Sequence, residues 1–145
     1  ERRPPGPPLR RRHLLAWAGA LTGWAGRSRA GQPPDPRVLA AWSAFRARFL
    51  TAEGRVVDTG NGGISHSEGQ GWALFLAEYC ADRAAFDRIL AWTRQTLIRP
   101  WDQLHAWRHV PGRAPQAADR NNATDGDLFL AAALLRAPGA GGTAQ

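Results

Sequence analysis

Two short segments hold the residue types that acid–base chemistry requires. The first is Ser65-His66-Ser67-Glu68-Gly69-Gln70-Gly71, and the second is Asp119-Arg120-Asn121-Asn122-Ala123-Thr124-Asp125-Gly126-Asp127-Leu128. In each, a carboxylate stands beside glycines that let a ligand approach the backbone closely, and an apolar helical pattern follows directly. One carboxylic acid so placed can donate a proton to a leaving oxygen, while a second carboxylate steadies developing positive charge. Spacing alone leaves a plainer role open, because acids at helix starts also serve as caps and as partners of the helix dipole.

The other chemically suggestive residues carry less. His105 and His109 have the i, i+4 spacing of a zinc pair, but Pro111 follows and no glutamate or third ligand is near, so no metal is expected. Gly60 to Gly63 lacks the Lys-Ser/Thr of a phosphate loop, and no nucleotide or other cofactor is expected. Cys80 is the single cysteine and shares a predicted helix with Trp72, Phe75, Leu76 and Tyr79, which makes it a buried, inert thiol. Asn122-Ala123-Thr124 spells a glycosylation sequon, but its place inside the second segment makes the match fortuitous.

Four helices are predicted to position the two segments. Asp35 caps a first helix from Pro36, with Val38, Trp42, Phe45 and Phe49 on one face. Residues 54–67, rich in glycine, form a close-turning loop. A second helix runs from about Gly69 to Cys80. Asp82 then caps a third helix carrying Phe86, Ile89, Leu90 and Leu97, and the short joint makes these two an antiparallel hairpin. Arg99-Pro100 ends the third helix, and Trp101 to Pro115 is irregular or extended. A fourth helix opens at Thr124, where Thr124 and Asp127 suggest a capping box, and Pro138 with its glycine run breaks it. The fold class is all-α, built of stacked helical hairpins with no internal sequence repeat.

Charge separates the chain into two parts. Its 145 residues carry a formal charge of +7, yet residues 1–30 hold 7 of the 19 Arg and one acid. From Gly31 onward 12 Arg face 11 acids, a net charge of only +1, which argues against a phosphate-binding surface and against nucleic acid as a partner. Residues 1–30 instead have the order of an export signal: Arg10-Arg11-Arg12, the apolar run Leu14 to Gly26, and Ser28-Arg29-Ala30 before Gly31. Arg11-Arg12-His13-Leu14-Leu15 resembles a twin-arginine signal, whose cargo is exported folded. The apolar run is too short to span a bilayer, so a periplasmic or secreted body without a membrane span is expected. The whole chain is 43% hydrophobic, and residues 31–145 hold 5 of its 7 Trp and all 5 Phe, so that body has the means to build a packed core.

The segments Gly60-Asn61-Gly62-Gly63-Ile64-Ser65-His66-Ser67-Glu68-Gly69-Gln70-Gly71, Asp82-Arg83-Ala84-Ala85-Phe86-Asp87 and Asn122-Ala123-Thr124-Asp125-Gly126-Asp127-Leu128, at their present separations, resemble glycoside hydrolase family 8. That family includes endoglucanases, among them the hydrolase partner of bacterial cellulose synthase. The resemblance runs from about Asp35 to Ala137, which corresponds to the first third or so of the family's (α/α)6 barrel, so an N-terminal fragment is expected. It implies an endo-β-1,4-glucanase, a cellulase acting by inversion, with a β-glucan as substrate and association with cellulose synthesis as a possible setting. Glu68 takes the role of general acid, whose proton a sugar-filled, partly apolar site beside Trp72 would help retain.

Asp125 matches the position long labelled the family's nucleophile. In an inverting reaction it is better read as a charge that grips the sugar at the cleavage subsite, and the usual base is expected beyond Gln145. The sugar-binding surface is expected to include Gln70, Asn122 and Asp127, with Trp101 and Trp107 as stacking platforms in a loop. Trp42, Trp72 and Trp92 lie at helix-face positions and are assigned to the core. Chitosan, mixed-linkage glucan and xylan stay open as substrates. So does a truncated, non-catalytic glucan-binding remnant, or a helical interaction module.

Overall fold

The structure is a computed structural model that describes residues 33–113 and 119–137. Residues 1–30, where an export signal is expected, and the tail after Ala137 lie outside the described residues. In chain order the elements are α1 (Pro36–Phe49), β1 (Ser65–His66), α2 (Ser67–Tyr79), α3 (Arg83–Leu97), β2 (Arg108–His109) and α4 (Thr124–Arg136).

Local chemistry sets most of these boundaries. Asp35 accepts a 2.8 Å hydrogen bond from the amide of Arg37, and Pro36 follows where a missing N–H costs nothing. Asp82 does the same for α3, accepting from Ala85 N at 3.1 Å. The loop 51–66 turns through Gly62 and Gly63, both at positive φ, and closes where Asp58 pairs with Ile64. Two expectations need correction. Helix α2 begins at Ser67 rather than Gly69, because Ser67 N is already held by Trp107 O at 3.0 Å and the helical turn starts from that anchor. The expected capping box on α4 does not form: Ala123 is the cap, without a side-chain bond, and Thr124 is already the first helical residue. The carboxylate of Asp127 is drawn to His105 instead.

Helix α2 occupies the centre, packed against α3 on one side and α4 on the other. The α2–α3 hairpin turns through Cys80 and Ala81, the latter in left-handed conformation, with Asp82 N returning to Ala77 O at 2.8 Å. Leu74, Ala77, Phe86, Ile89, Leu130 and Trp42 form the core. Cys80 packs at its edge, and burial pushes the thiol pKa up, with the charge of Asp82 adding to it.

Asp82 also ties α1 to the hairpin, accepting from Trp42 Nε1 at 3.0 Å and from Arg46 Nη1. Burial of Asp82 favours its neutral form, but the Ala85 amide, the Trp42 indole and the Arg46 guanidinium together hold its carboxyl below the usual range. A depressed carboxylate contributes stability that is complete above its unfolded pKa of about 3.9 and is lost as pH falls through the folded value. Asp82→Asn, which keeps a capping oxygen, is therefore expected to lower stability at neutral pH, with the deficit shrinking below about pH 4. Urea melts of both proteins at the two pH values check this; a deficit independent of pH would contradict it.

The stretch between α3 and α4 is irregular, as expected, but it is stitched down at several points. Ile98 pairs with His105 and Ala106 with Asn122, while Ser65 and His66 pair antiparallel with His109 and Arg108. This two-residue ribbon, absent from the all-α expectation, joins the start of α2 to the segment that precedes α4.

Candidate active site

Two glycines bring the chemical segments together. A Cβ on Gly71 of α2 would lie 2.7 Å from Phe129 Cβ and 3.2 Å from Gly126 O. One on Gly126 of α4 would lie 2.8 Å from Ser67 Cβ and 2.9 Å from Glu68 N. First turn thus meets first turn, and second turn meets second, so α2 and α4 run side by side in the same direction at backbone contact. Arg136 Nε closes the far end on Glu78 Oε2 at 2.8 Å.

The consequence is that Glu68 and Asp125, each in the first turn of its helix, stand on adjacent helix N-termini. Both are exposed. Among the described residues Glu68 has no hydrogen-bonding partner for its carboxylate, and Asp125 bonds only to the amide of Gly126, at 2.8 Å. Neither helix has a side-chain cap: His66 and Ala123 precede α2 and α4 without one, whereas Asp35 and Asp82 cap α1 and α3. The two uncapped ends keep backbone donors and positive dipole ends beside the two carboxylates.

Glu68 lines an open cleft of about 250 Å³ with Phe45, Phe49, Asp58, His66 and Trp72. His66 Nε2 lies 3.3 Å from Asp58 Oδ2, and its ring is 5.8 Å from that of Trp107. Trp72, one turn after Glu68, is 45% exposed and packs at a tilt against Phe129, one turn after Asp125, at 4.2 Å between ring centroids. Each carboxylate is thus backed by an aromatic at i+4, a wall of the kind that can face a pyranose.

The other anticipated site residues divide. Gln70 is fully buried: its amide accepts from Val56 N at 2.6 Å and donates to Gly54 O at 3.2 Å and Thr93 Oγ1 at 2.8 Å. Its role is to hold the 54–66 loop against α2 and α3, a correction to the sugar-contact expectation, since a fully buried amide with three protein partners is out of a ligand's reach. Asp127 is likewise engaged, accepting from His105 N at 3.1 Å, contacting His105 Nδ1 at 2.8 Å and accepting from Asn122 Nδ2 at 3.3 Å. Asn122 and Asp127 therefore pin the loop before α4 and so aim Asp125. Trp107 lies beside the Glu68 segment, its indole N–H bonded to Asp119 Oδ2 at 2.8 Å and the Arg108 guanidinium 4.4 Å from its ring. Trp101, 62% exposed, does not line the Glu68 cleft; the Arg99 and Arg120 guanidinium carbons lie 5.2 and 5.6 Å from its ring.

Sequence reasoning missed the Asp58–His66 pair, and it assigned Trp72 to the core while placing it beside the acid. Trp72 is corrected from core to cleft, and its i+4 relation to Glu68 was the available signal. Trp42 is buried as expected, and Trp92 is half-buried, meeting His109 edge-on at 5.5 Å. No sequence signal pairs Asp58 with His66, because the loop geometry between them decides it. His105 and His109 sit on extended backbone and turn to Asp127 and Trp92, and among the described residues no group of three or more His, Cys, Asp or Glu converges on a metal position.

Two parallel helices thus present Glu68 and Asp125 from neighbouring N-termini, with Glu68 lining an aromatic cleft. The sequence matches Glycosyl hydrolases family 8 over residues 14–140, and the chain belongs to that family. It is 49% identical over 105 residues to a probable endoglucanase of Novacetimonas hansenii, covering 72% of this chain and 31% of that protein. It is 48% identical over 104 residues to an endoglucanase of Cellulomonas uda, covering 70% of this chain and 29% of the relative. In three dimensions it superposes on endo-beta-1,4-glucanase CMCax from Acetobacter xylinum with a TM-score of 0.66 at 48% identity, covering 71% of this chain and 32% of that one. The chain thus spans about a third of the length of the relatives it matches, and its hairpins form part of an (α/α)6 barrel.

Proposed function

We propose that this chain is the front portion of an exported endo-β-1,4-glucanase that hydrolyses a β-1,4-glucan such as cellulose with inversion at the anomeric carbon. Glu68 donates its proton to the leaving glycosidic oxygen as the C1–O bond breaks, and water, activated by a carboxylate from elsewhere in the full barrel, attacks C1 from the opposite face. Asp125 grips the sugar at the cleavage subsite and stabilises the positive charge that develops on the ring. Trp72 and Trp107 provide stacking surface along the groove. The observation that carries this reading is the glycine-mediated contact of α2 and α4, which sets two unshared carboxylates on adjacent uncapped helix ends. A β-glucan is the one partner required; a link to cellulose synthesis is a possible setting for the same activity.

The test is stereochemical. Proton NMR of a cello-oligosaccharide digest by the protein carrying the whole barrel should show α-anomer first, mutarotating to the equilibrium mixture. Initial β-anomer would overturn inversion and give Asp125 a nucleophilic role. The 145-residue chain assayed alone should bind cello-oligosaccharide without cleaving it; Glu68-dependent cleavage by that chain would show that no later carboxylate is needed.

A further inference from the structure

A second cluster of charge, remote in character from the acidic site, lies behind β2. A small cavity of about 10 Å³ is lined by Arg108, Arg113, Arg120, His109 and Thr96, and among the described residues no Asp or Glu lines it. That volume holds one water-sized particle. The Nε atoms of Arg108 and Arg120 are buried and donate to no partner. Buried cationic donors are normally matched by an anion or acceptor, since leaving them unpaired in a low dielectric is costly. The surrounding groups do not supply one. Asp119, whose carboxylate senses the Arg108 charge, is exposed and occupied by Trp107 Nε1 and Asn121 N at 2.8 and 3.0 Å. Asp102 is taken by Arg99. Burial, with the charge of Arg55, pulls the pKa of His109 down, so the imidazole adds no second cation and the guanidinium groups dominate the local field.

We propose that this cavity binds a single-atom inorganic anion of the chloride class, held by Arg108, Arg113 and Arg120. The ion fastens the segment that carries Trp107 and Asn122 to the end of α3, where Arg120 Nη2 already bonds Ile98 O at 2.6 Å. The small volume suits a single-atom ion better than sulfate or phosphate, and an arginine-dependent response to chloride distinguishes that ion from water.

The experiment is thermal unfolding of the full chain in sodium chloride against sodium gluconate at constant ionic strength. Chloride at about ten times its dissociation constant should raise Tm by about 5 °C, and the rise should saturate. Arg120→Met should abolish the rise, but loses the Ile98 bond as well. Arg113→Gln, at an exposed rim position, should therefore remove most of the rise while leaving Tm in gluconate unchanged; Arg37→Gln, on α1, should keep the full rise. The ³⁵Cl NMR line should broaden with the wild-type chain and lose that broadening with Arg113→Gln. Equal Tm in the two salts, or a rise and broadening that survive Arg113→Gln, would overturn the proposal and leave the cavity to water.

Discussion

Replacing Glu68 by glutamine is expected to lower kcat on soluble β-1,4-glucan by about 10²- to 10⁴-fold in the enzyme carrying the whole barrel, the range general acid catalysis supplies. Glutamine has nearly the same shape and cannot deliver a proton to the leaving oxygen. Because Glu68 is exposed and its carboxylate has no partner among the described residues, the substitution removes chemistry without removing a structural bond. The thermal midpoint should therefore stay where it is. The loss should also depend on the leaving group: an aryl β-cellobioside whose phenolate departs without protonation should retain most of its wild-type turnover. Unchanged turnover on the polymer, or an equal loss on both substrates, would take the proton-donor role away from Glu68.

Gly126→Val is expected to destabilise the fold by about 3 kcal/mol or more, the upper range for overpacking in a tight interface. Two effects oppose each other at this site. Replacing a glycine within a helix by a residue with a Cβ favours the helix by up to about 1 kcal/mol. Against that, the new Cβ falls 2.8 Å from Ser67 Cβ and 2.9 Å from Glu68 N, and the Glu68 contact is backbone that cannot rotate away. Packing therefore wins, and α2 and α4 must separate. Gly126→Ala should show the same sign with a smaller amplitude. Urea denaturation measures both, and a stability equal to or above that of the wild type would mean that the two helices do not meet at backbone contact. In the full barrel the same variants should lose activity, since the adjacency of Glu68 and Asp125 depends on this crossing.

Features that rest on neighbours in the chain were legible in the residues alone. Asp35-Pro36 and Asp82 announce helix starts because a side-chain oxygen and a missing donor act within one turn, and the spacing of Trp42, Phe45 and Phe49 marks a face because helical period is local. The two motifs around Glu68 and Asp125 were readable for the same reason, and the family resemblance they carry was upheld over most of the chain. Tertiary structure decided which groups were already spoken for. Gln70 and Asp127 are polar residues inside chemical motifs, and only folding shows that their hydrogen bonds go to Val56, Gly54, Thr93, His105 and Asn122. Trp72 fits a core stripe by spacing, yet it lines the cleft at 45% exposure, because the close contact at Gly71 and Gly126 leaves its ring against Phe129 of α4 rather than inside the core. The arginines of β2 and the loop before α4, unremarkable in a nearly neutral body, become a cationic cavity only when residues 108 and 120 are folded onto the end of α3. Periodicity and caps act over one turn; burial and partnership act across the whole chain, and the chemistry of this site depends on both.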